Sequence, residues 1–158
     1  MNILILCTGN SARSILLESI LTHHSDGRIK AFSAGSKPSG KVHPQSLTLL
    51  AAKGFPTDHL TSQSWDDYAK PDSPRLDAVI TVCGSAAGET CPIWYGAPLR
   101  AHWGVEDPAA AVEADWDTAF TTAYDRLSAR AADLFALPFE EMDNEALQQA
   151  LHGIGTKH

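Results

Sequence analysis

Long hydrophobic runs are missing from this 158-residue chain. No apolar stretch approaches the ~20 residues that cross a bilayer as a helix, so a helical membrane protein is not expected. Basic clusters are missing as well. Twelve Lys and Arg stand against nineteen Asp and Glu, for a net charge of −7. That balance has the wrong sign for nucleic acid, whose binding relies on clustered Lys and Arg releasing counterions. Cysteine is sparse: Cys7, Cys83 and Cys91 are the only three. An odd number in a reducing compartment suits chemistry better than structural bridges. The apolar start, residues 1–7, lacks a basic flank and breaks at Gly9 and Asn10. It does not read as a signal peptide, and a cytoplasmic location is expected. Repeats, low-complexity tracts and linkers are also lacking. One domain over residues 1–158 is expected, with 136–158 as a peripheral helical segment, and a chain of this length buries a core without staples.

What is present is an alternation of strands and helices. Asn2 to Leu6 is a short continuous apolar run of the kind found in buried parallel strands. Helical spacing begins at Ser14 and stops at Gly27. A second strand is expected over Ile29 to Ser33. A second helix opens at Pro44 and closes at Gly54, and a short helix is expected within Ser62 to Ala69. Leu76 to Val82 predicts a third strand, and Leu99 to Trp103 a fourth. Asp115 to Leu137 predicts a long amphipathic helix, and a last helical segment runs from Pro138 to Gly153. This order predicts an α/β fold with a parallel sheet and helices on both faces. Ligands of such sheets bind beyond the carboxyl ends of the strands. Cys7, Cys83 and the segment Gly104 to Pro108 each follow a predicted strand, so all three should meet at one rim.

The segment Cys7-Thr8-Gly9-Asn10-Ser11-Ala12-Arg13-Ser14 joins the first strand to the first helix. Backbone N–H groups at such a junction converge on an anion, and the helix dipole favours negative charge. Gly9 permits a left-handed backbone and Asn10 tolerates one. The planar fork of Arg13 matches two oxygens of a tetrahedral oxyanion. The same field should depress the pKa of Cys7, and Ser14 is placed to donate to its sulfur. The simpler alternative is a small buried cysteine that ends a strand.

With Ser33-Ala34-Gly35, His43-Pro44, Thr81-Val82-Cys83, Cys91-Pro92, His102-Trp103-Gly104 and Asp107-Pro108, this loop resembles the low-molecular-weight protein tyrosine phosphatase superfamily. Within it, the chain resembles the arsenate reductases built on that fold. The resemblance implies a four-stranded parallel sheet in the order 2-1-3-4. It also implies that Thr8 to Ser14 bind arsenate or phosphate, that Cys7 is the nucleophile and Arg13 its oxyanion clamp. Asp107 would be the general acid, although Asp-Pro also starts turns and caps segments without any catalytic part.

A reductase further implies a relay in which Cys7 forms an adduct with arsenic, Cys83 displaces arsenite, and Cys91 resolves the Cys7–Cys83 disulfide. Inert thiols or a metal site are the alternatives, and the metal site lacks the close Cys/His pairs that build one. Small residues from Gly84 to Gly88 suit movement of Cys91. The external reductant implied is thioredoxin, with glutaredoxin and glutathione as the other donor. No tightly bound cofactor is expected. Some reductases of this type bind potassium near the loop. Asn10, Glu18 and Ser33 match part of that site, and Gln63 stands where an acid is expected.

Two other readings compete. A phosphatase would use Cys7, Arg13 and Asp107 alone through a phosphocysteine. Ala109, Ala110 and Ala111 follow the Asp-Pro where phosphatases often carry aromatics, while Trp94 and Tyr95 offer an aromatic wall or core packing. A non-catalytic oxyanion sensor would keep the cradle but leave three thiols unexplained.

Overall fold

A computed structural model describes residues 1–83 and 98–157; Cys91, Trp94, Tyr95 and the Gly84–Gly88 segment lie outside the described residues. Four parallel strands, β1 (Asn2–Cys7), β2 (Lys30–Gly35), β3 (Ala78–Thr81) and β4 (Leu99–His102), form one sheet in the order β2-β1-β3-β4. The expected order 2-1-3-4 is the observed one. Four helices are described: α1 (Arg13–His24), α2 (Pro44–Ala52), α3 (Trp116–Phe135) and α4 (Asn144–Lys157).

The central strand shows why the sheet forms. Ile3, Leu4, Ile5 and Leu6 are all at most 1% exposed. Successive strand residues point to opposite faces, so an unbroken buried run means that both faces of β1 are covered. Each such side chain contributes roughly 1.5–3 kcal/mol of burial. Helix α1 is apolar nearly all round, with Ile15, Leu16, Leu17, Ile20 and Leu21 buried. It fits between the sheet strands β1 and β2 on one side and α3 on the other. Helix α3 instead buries a single stripe, Phe120, Ala123, Leu127, Ala131 and Leu134, at helical spacing.

Two expectations change. Ser62 to Ala69 contains only one 3-10 turn, Trp65–Tyr68, capped by Ser64, whose hydroxyl oxygen accepts from Asp66 N–H at 3.2 Å. The final helix passes through Gly153 and Gly155 and ends at Lys157. Gly155 is present for close approach. A Cβ there would lie 2.2 Å from the His102 carbonyl oxygen and 2.8 Å from the Trp103 ring. The C-terminal segment expected at the periphery therefore presses its backbone against β4. Leu151 is fully buried, and the indole N–H of Trp103 donates to its carbonyl at 3.0 Å.

Strand register decides what meets at the carboxyl edge. Cys7 pairs with Gly35, Leu6 with Thr81, and Thr81 with His102. Cys7, Cys83 and the loop after His102 thus leave the sheet side by side.

Candidate active site

The loop from Cys7 to Arg13 is held from behind by its carbonyl oxygens. Thr8 O accepts from Lys37 N–H and Gly9 O from Ser39 N–H, both at 3.0 Å, and Ser62 Oγ adds a bond to Gly9 O at 3.1 Å. Ser11 O accepts from His43 N–H at 3.0 Å and from Ser46 Oγ at 2.9 Å. In a planar trans peptide the N–H of the next residue points opposite to the carbonyl. Tethering these carbonyls outward therefore turns the N–H groups of Gly9, Asn10 and Ala12 to the other side. Ala12 precedes α1 and makes no side-chain cap, so the first amides of α1 remain open as well. A ring of amides at a helix N-terminus is an anion site by construction.

Asn10, at φ +48°, takes the left-handed conformation for which both Gly9 and Asn10 are suited. It is fully buried; its side-chain amide nitrogen donates to Ser14 Oγ at 2.9 Å and its oxygen accepts from Gln63 N–H at 2.9 Å. The Ser14 oxygen thus accepts from Asn10 and keeps its own O–H as a donor. Among the described residues no hydrogen bond from Ser14 to the Cys7 sulfur is formed. The loop also requires Gly35, because a Cβ there would sit 2.4 Å from Thr8 O and 2.9 Å from Cys7 O.

Cys7 and Cys83 are both reduced and nearly buried, at 5% and 4% exposure. The Cys83 thiol lies near enough to Cys7 to act on its titration. Thr8 N–H donates to the Cys83 sulfur at 3.3 Å, and the Thr8 hydroxyl lies 3.5 Å from it. The depressed Cys7 pKa expected from the helix terminus and Arg13 is not found. The Cys83 thiol and burial push the Cys7 thiol up, against the downward pull of the Arg13 charge and the Thr8 N–H. The expected field is there, and a neighbouring thiol outweighs it.

Arg13 donates from Nη1 to the Val105 carbonyl at 2.9 Å and places Nη2 3.7 Å from Asp107 Oδ2. Its Nε is buried without a protein partner among the described residues. Asp107 does what its dipeptide suggests, accepting from Ala109 N–H at 3.0 Å to cap the turn Pro108–Ala110. It also faces the guanidinium. Cys7, Arg13, Cys83 and Asp107 are therefore brought together, while Cys91 lies outside the described residues. Ser62, Gln63 and Val105 were not anticipated as supports of this site. Only their proximity in space reveals them.

The family model described as low molecular weight phosphotyrosine protein phosphatase matches residues 2–149. The chain belongs to that family. Among the family's curated members, an arsenate reductase of Bacillus licheniformis is 36% identical over 107 residues, covering 67% of this chain and 73% of its own. One from Oceanobacillus iheyensis is 35% identical over 132 residues, covering 79% and 88%. A solved structure of an arsenate reductase in a phosphate-binding state superposes with a TM-score of 0.70 and 25% identity, over 85% of this chain and 96% of that one.

Proposed function

We propose that this chain is an arsenate reductase working through a Cys7, Cys83 and Cys91 relay. The observation that carries the reading is the buried Cys83 thiol beside Cys7, its sulfur accepting from Thr8 N–H at the edge of an anion cradle. Phosphate-ester hydrolysis needs one sulfur at this place, and a second in contact with the first suits an oxidoreductase.

In the proposed cycle the Cys7 sulfur attacks arsenic and a water leaves, giving a thioester-like adduct of arsenic(V). The amides of the loop and the Arg13 fork hold its oxygens. The Cys83 thiolate then attacks the Cys7 sulfur. The S–As bond breaks, its electron pair passes to arsenic, and arsenite departs as a Cys7–Cys83 disulfide forms. Thr8 supports this step by aiming its N–H at the Cys83 sulfur. Cys91 attacks Cys83, frees Cys7 and leaves a Cys83–Cys91 disulfide for an external dithiol. Thioredoxin is the donor we favour, because a disulfide product calls for dithiol exchange, with glutaredoxin and glutathione as the other donor. The reaction belongs in a reducing cytoplasm.

A phosphatase side activity has one observation in its favour, the Asp107 carboxylate beside Arg13. The test is arsenite production with each donor for wild type, Cys83→Ser and Cys91→Ser, run beside aryl phosphate hydrolysis. The reading expects both variants to lose turnover. Unchanged turnover in both overturns the relay.

A further inference from the structure

The oxygens that resemblance would assign to a potassium site are each hydrogen-bonded within the protein here. An alkali cation needs several oxygen lone pairs aimed at one point. Asn10 Oδ1 is already taken by Gln63 N–H at 2.9 Å, and Glu18 Oε1 accepts from Ser33 Oγ at 2.5 Å. The Ser33 carbonyl accepts from Gln63 Nε2 at 2.8 Å, and that same nitrogen reaches the Tyr68 hydroxyl at 2.8 Å. A carbonyl can only accept, which fixes the nitrogen end of the Gln63 amide in this position. Where a cation would gather oxygens, the chain presents two N–H donors.

Charge points the same way. The adjacent cavity of about 330 Å³ is bounded by Glu18, Gln63 and Tyr68, and it is also lined by Lys30 and His59. Burial pushes the Glu18 carboxyl up toward its neutral form. The Ser33 hydrogen bond and the His59 charge pull it the other way, and Lys30 adds a positive charge to the same lining.

Gln63 is bonded on every side. Its carbonyl accepts from Gly35 N–H at 2.8 Å, its N–H holds Asn10, and its side chain ties Ser33 on β2 to Tyr68. We propose that Gln63 braces the oxyanion loop in place of an alkali-metal cation, fixing the left-handed Asn10 turn against the end of β2. It is a positioning residue, and its effect on turnover rests on the reductase reading given above.

The first arm of the test needs no catalysis. Thermal melting of the wild type in potassium, sodium and choline chloride at equal ionic strength is expected to give one Tm. Gln63→Glu sets a second carboxylate beside Glu18 and is expected to acquire a Tm that rises with potassium. A potassium-specific rise for the wild type, or a Gln63→Glu protein that melts alike in all three salts, overturns the proposal. The second arm measures Gln63→Ala. Its affinity for inorganic phosphate, read from the phosphate dependence of Tm, should weaken about fivefold, the scale of one lost hydrogen bond. Arsenate KM should rise in step while kcat holds. Unchanged phosphate affinity in Gln63→Ala overturns the brace even if the protein proves not to reduce arsenate. The wild-type salt comparison stands should a variant fail to fold.

Discussion

Thr8 N–H donates to the sulfur of Cys83 at 3.3 Å across 75 residues of sequence, and that same Cys83 is the largest influence raising the pKa of Cys7. The two thiols are thus electrostatically linked before any substrate arrives. Replacing Cys83 by Ala should separate two properties that usually move together. The largest influence raising the Cys7 pKa disappears, so iodoacetamide should alkylate Cys7 at lower pH than in the wild type. Arsenite production should nonetheless fall to background. A Cys7 titration that does not move down would refute the assigned cause.

Gly35→Ala tests the packing of the loop on β2. The added methyl would meet two backbone carbonyl oxygens, which cannot swing aside like a side chain. Overpacking of this kind costs about 1–3 kcal/mol. For a domain of this size that is a Tm drop of roughly 2–4 °C for each kcal/mol. Weaker stabilisation by inorganic phosphate should accompany it, because the displaced atoms belong to the cradle. A variant with wild-type Tm and wild-type phosphate response would show that the loop tolerates displacement.

Asp107→Asn keeps an oxygen for the Ala109 N–H and so preserves the cap. Its Tm should match the wild type. Hydrolysis of an aryl phosphate with a poor leaving group should fall by about 10²–10⁴, the usual reach of general-acid catalysis. Arsenate reduction should suffer less, since arsenic–oxygen bonds exchange more readily. Equal hydrolysis rates would remove Asp107 from the acid role.

Acid should destabilise the fold in two stages. Burial holds the pKa of His43 below its ordinary 6.5 despite the upward pull of Asp107, and His23 is lowered mainly by burial too. The unfolded chain binds those protons first, so stability is complete above about pH 6.5 and declines as the pH falls through the folded values. The Arg28 guanidinium holds Glu140 near 2, below its ordinary 4.5, and that contribution is lost later, as pH falls from about 4.5 toward 2. His43 Nδ1 accepts from Gln45 N–H at 3.1 Å to cap α2. His43→Asn, which supplies another acceptor, should flatten the dependence of Tm on pH between about pH 7 and about pH 5. An unchanged slope would move the effect to another group.

The parts of this site legible in the sequence are those carried by neighbours in the chain. The apolar run of β1, the Gly9-Asn10 turn and Arg13 at the start of α1 lie within a dozen residues, and periodicity with turn chemistry locates them. Cys83 was legible as a thiol after a strand at the same rim as Cys7, but its effect on the Cys7 pKa was not. For that reason the direction of the Cys7 shift came out opposite. The helix-terminus field is a local property, whereas a thiol arriving from β3 is a tertiary one. Gly153 looked like a stop signal, yet the helix runs on through it, and Gly155 two residues later is the close contact with His102. Gln63 was noticed only as a missing acid, because nothing in its own neighbourhood marks it as a brace for residues 53 positions away.

The outward tethering of the loop carbonyls has a consequence for affinity. Every donor that bends the segment into shape comes from scaffold that folds with the core, so the entropy of ordering the receptor is spent once, during folding. A tetrahedral guest then meets a rigid mould and loses only its own freedom and hydration. Such a receptor should bind small spherical anions of one radius indiscriminately, which leaves discrimination to the sulfur chemistry that follows capture.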